Sequence, residues 1–181
     1  MKNGIYVYQF GNEPDLYYQW LRPKTYDSSA FLSDWNNYYD KVKESLPGIG
    51  FAGPDVSHNI HWVDYFADNN GKKIALLDAH YYRKMGNHTD TRWYYLLNTD
   101  TALNGYLNNL KEKAAGLNIP YRISECNSVS RGGKADVSDV FASALWGLDF
   151  MWTVAAYNGQ GINFHGGTDS HYAPIVLKNG K

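Results

Sequence analysis

Apolar positions recur in two different rhythms along the chain. The run Gly4-Ile5-Tyr6-Val7-Tyr8-Gln9-Phe10-Gly11 predicts a first strand. Phe31, Leu32, Trp35, Tyr38, Tyr39, Val42 and Leu46 then return at helical spacing, with Ser28 or Ser29 as cap and Pro47-Gly48 as stop. A short strand is expected at Gly50-Phe51-Ala52-Gly53-Pro54, followed by a weaker helix from Ile60 to Ala67. Ile74 to Tyr81 reads as a buried strand, and a long loop runs from Arg83 to Asn98. Ala102, Leu103, Tyr106, Leu107, Leu110 and Ala114 mark a second strong helix ending near Gly116. Tyr121 to Asn127 is a strand, and Ser128 to Lys134 a polar loop. Val137, Val140, Phe141, Ala144, Leu145, Leu148 and Met151 form the most apolar helix, before a last strand at Gly161 to His165.

Strand and helix alternate without repeat, linker or low-complexity stretch. That order predicts an α/β fold of parallel strands joined by crossover helices. A closed (β/α)8 barrel needs eight strands and about 250 residues. With 181 residues and core strand from the start, the pattern is that of a barrel lacking its front.

Charge and composition narrow the partners. A formal net charge of −1 leaves no electrostatic footprint for nucleic acid or an anionic membrane. No apolar run approaches the roughly 20 residues of a membrane span. Met1-Lys2-Asn3-Gly4 leads into strand-like sequence with no signal-peptide pattern. Cys126 is the single cysteine, which excludes an internal disulfide and leaves the compartment open. Aromatic residues make up 16% of the chain, with sixteen Tyr and six Trp, enough for an aromatic core and for flat faces that suit sugars.

Two acidic residues stand where strands open into loops: Glu13 in Asn12-Glu13-Pro14, and Glu125 in Ser124-Glu125-Cys126-Asn127. Parallel α/β folds build their sites at such C-terminal strand ends. A pair of carboxylates at one rim suits glycosidic cleavage: one protonates the leaving oxygen while the other attacks the anomeric carbon or activates water.

Asn-Glu-Pro on one strand with a second Glu several strands later resembles the retaining glycoside hydrolases of the large (β/α)8 clan. Within it the chain is most similar to the bacterial β-glucuronidase and heparanase-like family. That likeness rests on Phe10-Gly11-Asn12-Glu13-Pro14, Glu125-Cys126-Asn127-Ser128, Val137 to Trp146, and Gly161 to Gly167. It implies that residues 1–181 form a partial TIM barrel corresponding to strands 4–8, without strands 1–3 and without the usual β-sandwich domain. Two strands, near Phe51 and Leu76, lie between those of Glu13 and Glu125, and one follows, as that mapping requires.

The resemblance implies Glu13 as acid/base, Glu125 as nucleophile, Asn12 on the sugar 2-hydroxyl, and Tyr81 as donor to Glu125. Asn127, beside the nucleophile, joins the substrate-binding set. The expected reaction is retaining cleavage of β-glucuronides without a cofactor. Alternatives are a neutral β-glycoside, or an inactive carbohydrate-binding barrel fragment. Family roles imply secretion or a periplasmic location. Exposed edges of an open sheet would invite self-association.

Other candidates keep two readings. Arg131 and Gly132, with Gly133 and Lys134, suit a uronate carboxylate or an ordinary basic turn. His80 and His165 suit substrate hydroxyls or satisfied polar positions, and no ligand cluster marks a metal site. Cys126 is expected to point away from the Glu125 face as packing, and Trp146 to be core.

Overall fold

A computed structural model describes residues 4–166 and 171–174. Met1 to Asn3 and Gly167, the last residue of the final sequence motif, lie outside the described residues. The elements run β1 (Val7–Gln9), α1 (Ser28–Ser45), β2 (Gly50–Val56), α2 (Ile60–Asn70), β3 (Leu76–Lys84), α3 (Thr101–Leu117), β4 (Tyr121–Val129), α4 (Phe141–Ala156) and β5 (Ile162–Phe164). Short 3-10 segments at Pro14–Gln19, Gly71–Lys73 and Trp93–Leu97 punctuate the loops. All five strands and four helices expected from the pattern are present. The sheet order is β1-β2-β3-β4-β5, as successive right-handed crossovers produce.

The chain clusters into two compact units. One holds the chain up to His80 with Asn109–Arg122; the other holds Tyr81–Asn108 with the chain from Ile123 onward. Strands β3 and β4 run through both.

In the first unit, β2 is buried without a break from Phe51 to Val56, as in a strand covered on both faces. It pairs in parallel with β1 (Tyr8 opposite Phe51) and with β3 (Gly53 opposite Leu77). Pro54 cannot donate to a ladder, and the register shifts between Pro54 and Val56. The Leu77 N–H donates to the Pro120 carbonyl at 3.0 Å, which ties β3 to the start of β4. Helix α1 begins at Asp27, whose carboxylate accepts from the Ser29 and Ala30 amides; this cap takes the place of the Ser28 or Ser29 expected. The core is aromatic. Trp35 stands edge-on to Phe66 at 5.1 Å and stacks on Tyr39, and Phe10 meets Phe51 at 5.1 Å.

In the second unit, β4 pairs in parallel with β5 (Ile123 opposite Ile162, Cys126 opposite Phe164). The Ser130 amide donates to the Lys84 carbonyl at 3.0 Å. Helix α4 starts four residues later than the periodicity predicts. It buries Ala142, Trp146, Phe150 and Val154, a stripe at i, i+4 spacing, and leaves Phe141, Leu145, Leu148, Met151 and Trp152 exposed. The predicted apolar helix therefore exists, but the face expected in the core is largely the outer one. Trp146 is buried, as expected of a core residue.

Candidate active site

Glu13 follows β1 with φ 51° and ψ 53°, in the left-handed region that side-chain-bearing residues seldom occupy. Such a conformation costs about 1–3 kcal/mol and survives only where neighbours hold it. Here the Glu13 amide donates to the Asp55 carbonyl at 2.9 Å, and Glu13 leads directly into the 3-10 segment at Pro14. Asp15, buried in that segment, accepts from the Ser57 amide (2.9 Å) and hydroxyl (2.8 Å), fixing it to the loop after β2. The Glu13 side chain remains 23% exposed.

Behind Glu13 lies a buried polar cluster. The His80 Nδ1 stands 3.2 Å from Glu13 Oε1, and its Nε2 stands 2.9 Å from Asp55 Oδ1. Asp55 is fully buried, again with positive φ, and its second oxygen accepts from the Gln9 amide. The Asp55 backbone N–H donates to Asp78 Oδ1 at 3.0 Å. Burial, followed by the charge of Asp55, pushes the Asp78 carboxyl well above the usual carboxylate range, so Asp78 holds its proton.

In the second unit, Glu125 is built into β4 with its side chain 20% exposed. The Tyr82 hydroxyl donates to Glu125 Oε1 at 2.7 Å, and Tyr82 lies 2.9 Å from His165 Nδ1. A phenol has one proton. With that proton on Glu125, a bond between His165 Nδ1 and the Tyr82 oxygen requires the Nδ1–H tautomer; in the other tautomer Nδ1 accepts from the Tyr172 hydroxyl, 2.9 Å away. Burial and the bond to Glu125 both push the Tyr82 hydroxyl far above its ordinary range, so it stays a donor. His165 Nδ1 is also 3.4 Å from Glu125 Oε1 and 2.9 Å from the Tyr172 hydroxyl, and the ring is half exposed. The strand thus presents a part-exposed carboxylate held by the Tyr82 hydroxyl.

The comparisons with known proteins point the same way. No protein-family model matches the chain. A β-glucuronidase from Neurospora crassa is 24% identical over 93% of the chain, and one from Aspergillus niger is 26% identical over 91%. The chain spans 35% of the length of each. A 4-O-α-L-rhamnosyl-β-D-glucuronidase from Fusarium oxysporum superposes with a TM-score of 0.73 at 19% identity, covering 94% of this chain and 39% of that one. A GH39 β-xylosidase from Caulobacter crescentus gives 0.66 at 17% identity, covering 87% and 32%. A family 44 xyloglucanase from Paenibacillus polymyxa gives 0.67 at 12% identity, covering 92% and 43%.

The chain resembles part of a glycoside hydrolase barrel. Its fold is a partial TIM-barrel-like α/β fold, as the alternating pattern predicts.

Within this glycoside hydrolase-like fold, three expected site residues need correction. Tyr81 does not reach Glu125. It is buried against Tyr106 and Phe150, and its hydroxyl donates to Asp100 at 2.5 Å. Tyr82, one residue on and so on the other face of β3, takes the expected place. His80 is 1% exposed with both ring nitrogens against carboxylates, so it is a satisfied buried histidine and not a sugar contact. Asn127 is buried too. Its Nδ2 donates to the His165 (2.7 Å) and Tyr172 (3.0 Å) carbonyls, and its Oδ1 accepts from the Ser128 amide. It shapes the segment that carries His165.

His165 stands beside Glu125, its Nδ1 3.4 Å from Oε1. Asn12 is exposed next to Glu13, with its amide donating to the Tyr17 hydroxyl. Arg131 and Gly132 sit in a turn beyond β4, at φ 61° and 82°, followed by Gly133 at 83°. Arg131 is exposed, while the Lys134 ammonium is bound to the His88 carbonyl. Cys126 is buried with its thiol toward the Asn163 carbonyl, consistent with packing. Sequence reasoning missed Tyr82 and Asp55. Strict alternation along β3 would have found Tyr82, because Asp78, His80 and Tyr82 share one parity.

Proposed function

We propose that the chain corresponds to strands 4–8 of the catalytic barrel of a retaining glycoside hydrolase acting on β-glucuronides. Glu125 is the nucleophile, and Glu13 is the acid/base. The observation that supports this reading is the Glu125 site: a part-exposed carboxylate on β4, oriented by Tyr82 and near His165. In the first step Glu125 attacks the anomeric carbon while Glu13 gives a proton to the departing oxygen. In the second, Glu13 takes a proton from water, which attacks the same carbon and releases Glu125. Asn12 binds the sugar 2-hydroxyl. The exposed Arg131, with the backbone N–H groups of the turn through Gly132 and Gly133, takes the uronate carboxylate.

Strands 1–3 supply the rest of the sugar pocket, and strands β1 and β5, which end the sheet order, are the edges through which the chain meets them or a second copy. The test is release of nitrophenol from aryl β-glucuronide, β-glucoside and β-xyloside by the chain and by a version with upstream strands restored. Glucuronide turnover abolished by Glu125→Ala and weakened in KM by Arg131→Ala supports the reading. Preference for a neutral sugar moves the substrate. Sugar binding without turnover of any glycoside by the restored protein makes it a binding module.

A further inference from the structure

Among the described residues of the first unit, Asp55 and His80 make a buried assembly that touches no solvent, yet ends on the side chain of Glu13. Gln9 Nε2 donates to Asp55 Oδ2, and His80 Nε2 stands 2.9 Å from Oδ1; with that ring nitrogen as donor, both oxygens accept, which is the arrangement of an ionised carboxylate. A bare carboxylate at zero exposure requires a compensating positive charge. The His80 imidazole, 2.9 Å from Asp55 Oδ1, is placed to supply that charge. The other acid of the cluster, Asp78, accepts the Asp55 amide and is held protonated by burial and by the Asp55 charge, so it adds no second negative charge.

We propose that His80 is a permanent imidazolium, paired to Asp55 through Nε2–H, and that its Nδ1–H donates to Oε1 of Glu13 as a positioning group for the acid/base. Oε1 accepts that bond whether Glu13 is protonated or not, so Oε2 is the oxygen that carries and returns the exchanged proton. Loss of the proton from Oε2 to a leaving oxygen leaves a carboxylate facing a cation 3.2 Å away, which favours the transfer. His80 itself gains and loses nothing in the cycle. Among the described residues of this unit, Glu13 from the loop after β1 and Asp55 from β2 face the ring, and Asp78 lies behind Asp55 on β3.

This inference rests on Glu13 acting as an acid, but its first test does not require turnover. Long-range 15N correlation spectra of the protein, with the His80 signal assigned through His80→Gln, report both ring nitrogens. Two protonated nitrogens persisting at pH 8, well above the ordinary histidine pKa of about 6.5, are expected. They should persist in Glu13→Gln, which keeps an acceptor at that position. In Asp55→Asn, checked for folding by its backbone amide spectrum, the ring should become neutral at the same pH. A neutral His80 in the unaltered protein at pH 8 overturns the proposal, and so does an imidazolium untouched by Asp55→Asn. The unaltered protein alone decides if Asp55→Asn fails to fold.

In the turnover arm, Asp55→Asn should slow an alkyl glucuronide, whose leaving group needs protonation, by up to the 10²–10⁴-fold, in rough terms, that general acid catalysis supplies. An aryl glucuronide with an acidic phenol should slow far less. An equal loss on both substrates, with the imidazolium intact, means a merely structural role. Absence of turnover with the imidazolium present refutes the glycosidase reading and leaves the buried ion pair standing.

Discussion

Replacing Tyr82 and Tyr81 separately by Phe distinguishes catalysis from scaffolding at two adjacent residues. Each substitution deletes one hydroxyl and little volume, so the effect is that of one hydrogen bond. Tyr82 loses a 2.7 Å bond to the Glu125 carboxylate. A bond to a charged group contributes about 1.5–3 kcal/mol, and each 1.4 kcal/mol or so is a factor of ten, so kcat/KM should fall by about 10- to 150-fold. Much of the loss should appear in kcat, because Tyr82 fixes the rotamer of Glu125, the proposed nucleophile. Tyr81 loses a bond to Asp100, a residue that also pairs with Arg83 at 2.6 Å and caps the start of α3 through the Leu103 amide. That loss belongs to folding. About 1–3 kcal/mol is at stake, which for a chain of this length is a fall in Tm of roughly 2–10 °C. Activity on an aryl β-glucuronide and thermal unfolding, measured on both variants, give four numbers. The reasoning fails if Tyr81→Phe is the catalytically impaired variant while Tyr82→Phe turns over normally.

Other consequences concern burial and close approach. Asp78 keeps its proton in the folded protein but has an ordinary pKa of about 3.9 when unfolded. The unfolded state therefore binds fewer protons from about pH 4 upward, and stability falls as pH rises through the window up to the folded pKa. Asp78→Asn should remove that slope in denaturant unfolding at a series of pH values; an equal or steeper fall in the Asn variant would contradict the assignment. Gly86→Ala would place its Cβ 2.5 Å from the Ser130 carbonyl oxygen and 3.2 Å from that of Gly133, both backbone atoms of the loop after β4. It should destabilise by about 1–3 kcal/mol and lower glucuronide turnover, whereas Gly105→Ala, in α3 with open space around it, should stabilise by about 1 kcal/mol. Unchanged Tm in Gly86→Ala would show the loop to be free to give way.

The order of the elements was legible because each strand is a short apolar run and each helix a 3.6-residue stripe. Glu13 and Glu125 stood out as candidates because they close apolar runs in the sequence, although Glu125 lies within β4 and not at its end. Registers were harder. The strand read as Ile74 to Tyr81 is Leu76–Lys84, and at its end two tyrosines stand side by side. Only one can face the Glu125 side, and hydrophobicity does not choose between them; parity with His80 does. The helix face was misread at α4 because its sequence is apolar nearly all round, so Ala142, Trp146 and Phe150 compete on equal terms with Phe141, Leu145 and Leu148. Asp55 left no local signature. Its burial follows from pairings with Gln9, Asp78 and His80 across β1 and β3, which no single window of sequence displays. Asn127 misled for a related reason: an amide beside a carboxylate in a motif suggests a sugar contact, yet backbone carbonyls brought in from residues 165 and 172 absorb its donors.

The most direct test of the central claim is mass spectrometry of the protein with upstream strands restored, after reaction with a 2-deoxy-2-fluoro glucuronide bearing a reactive leaving group. Such a probe forms a retaining enzyme's covalent intermediate and then hydrolyses slowly. The account predicts one glycosyl group per protein, mapped to the peptide carrying Glu125 and absent from Glu125→Ala. A modification on any other residue, or turnover of glucuronide with inversion at the anomeric carbon, would contradict it.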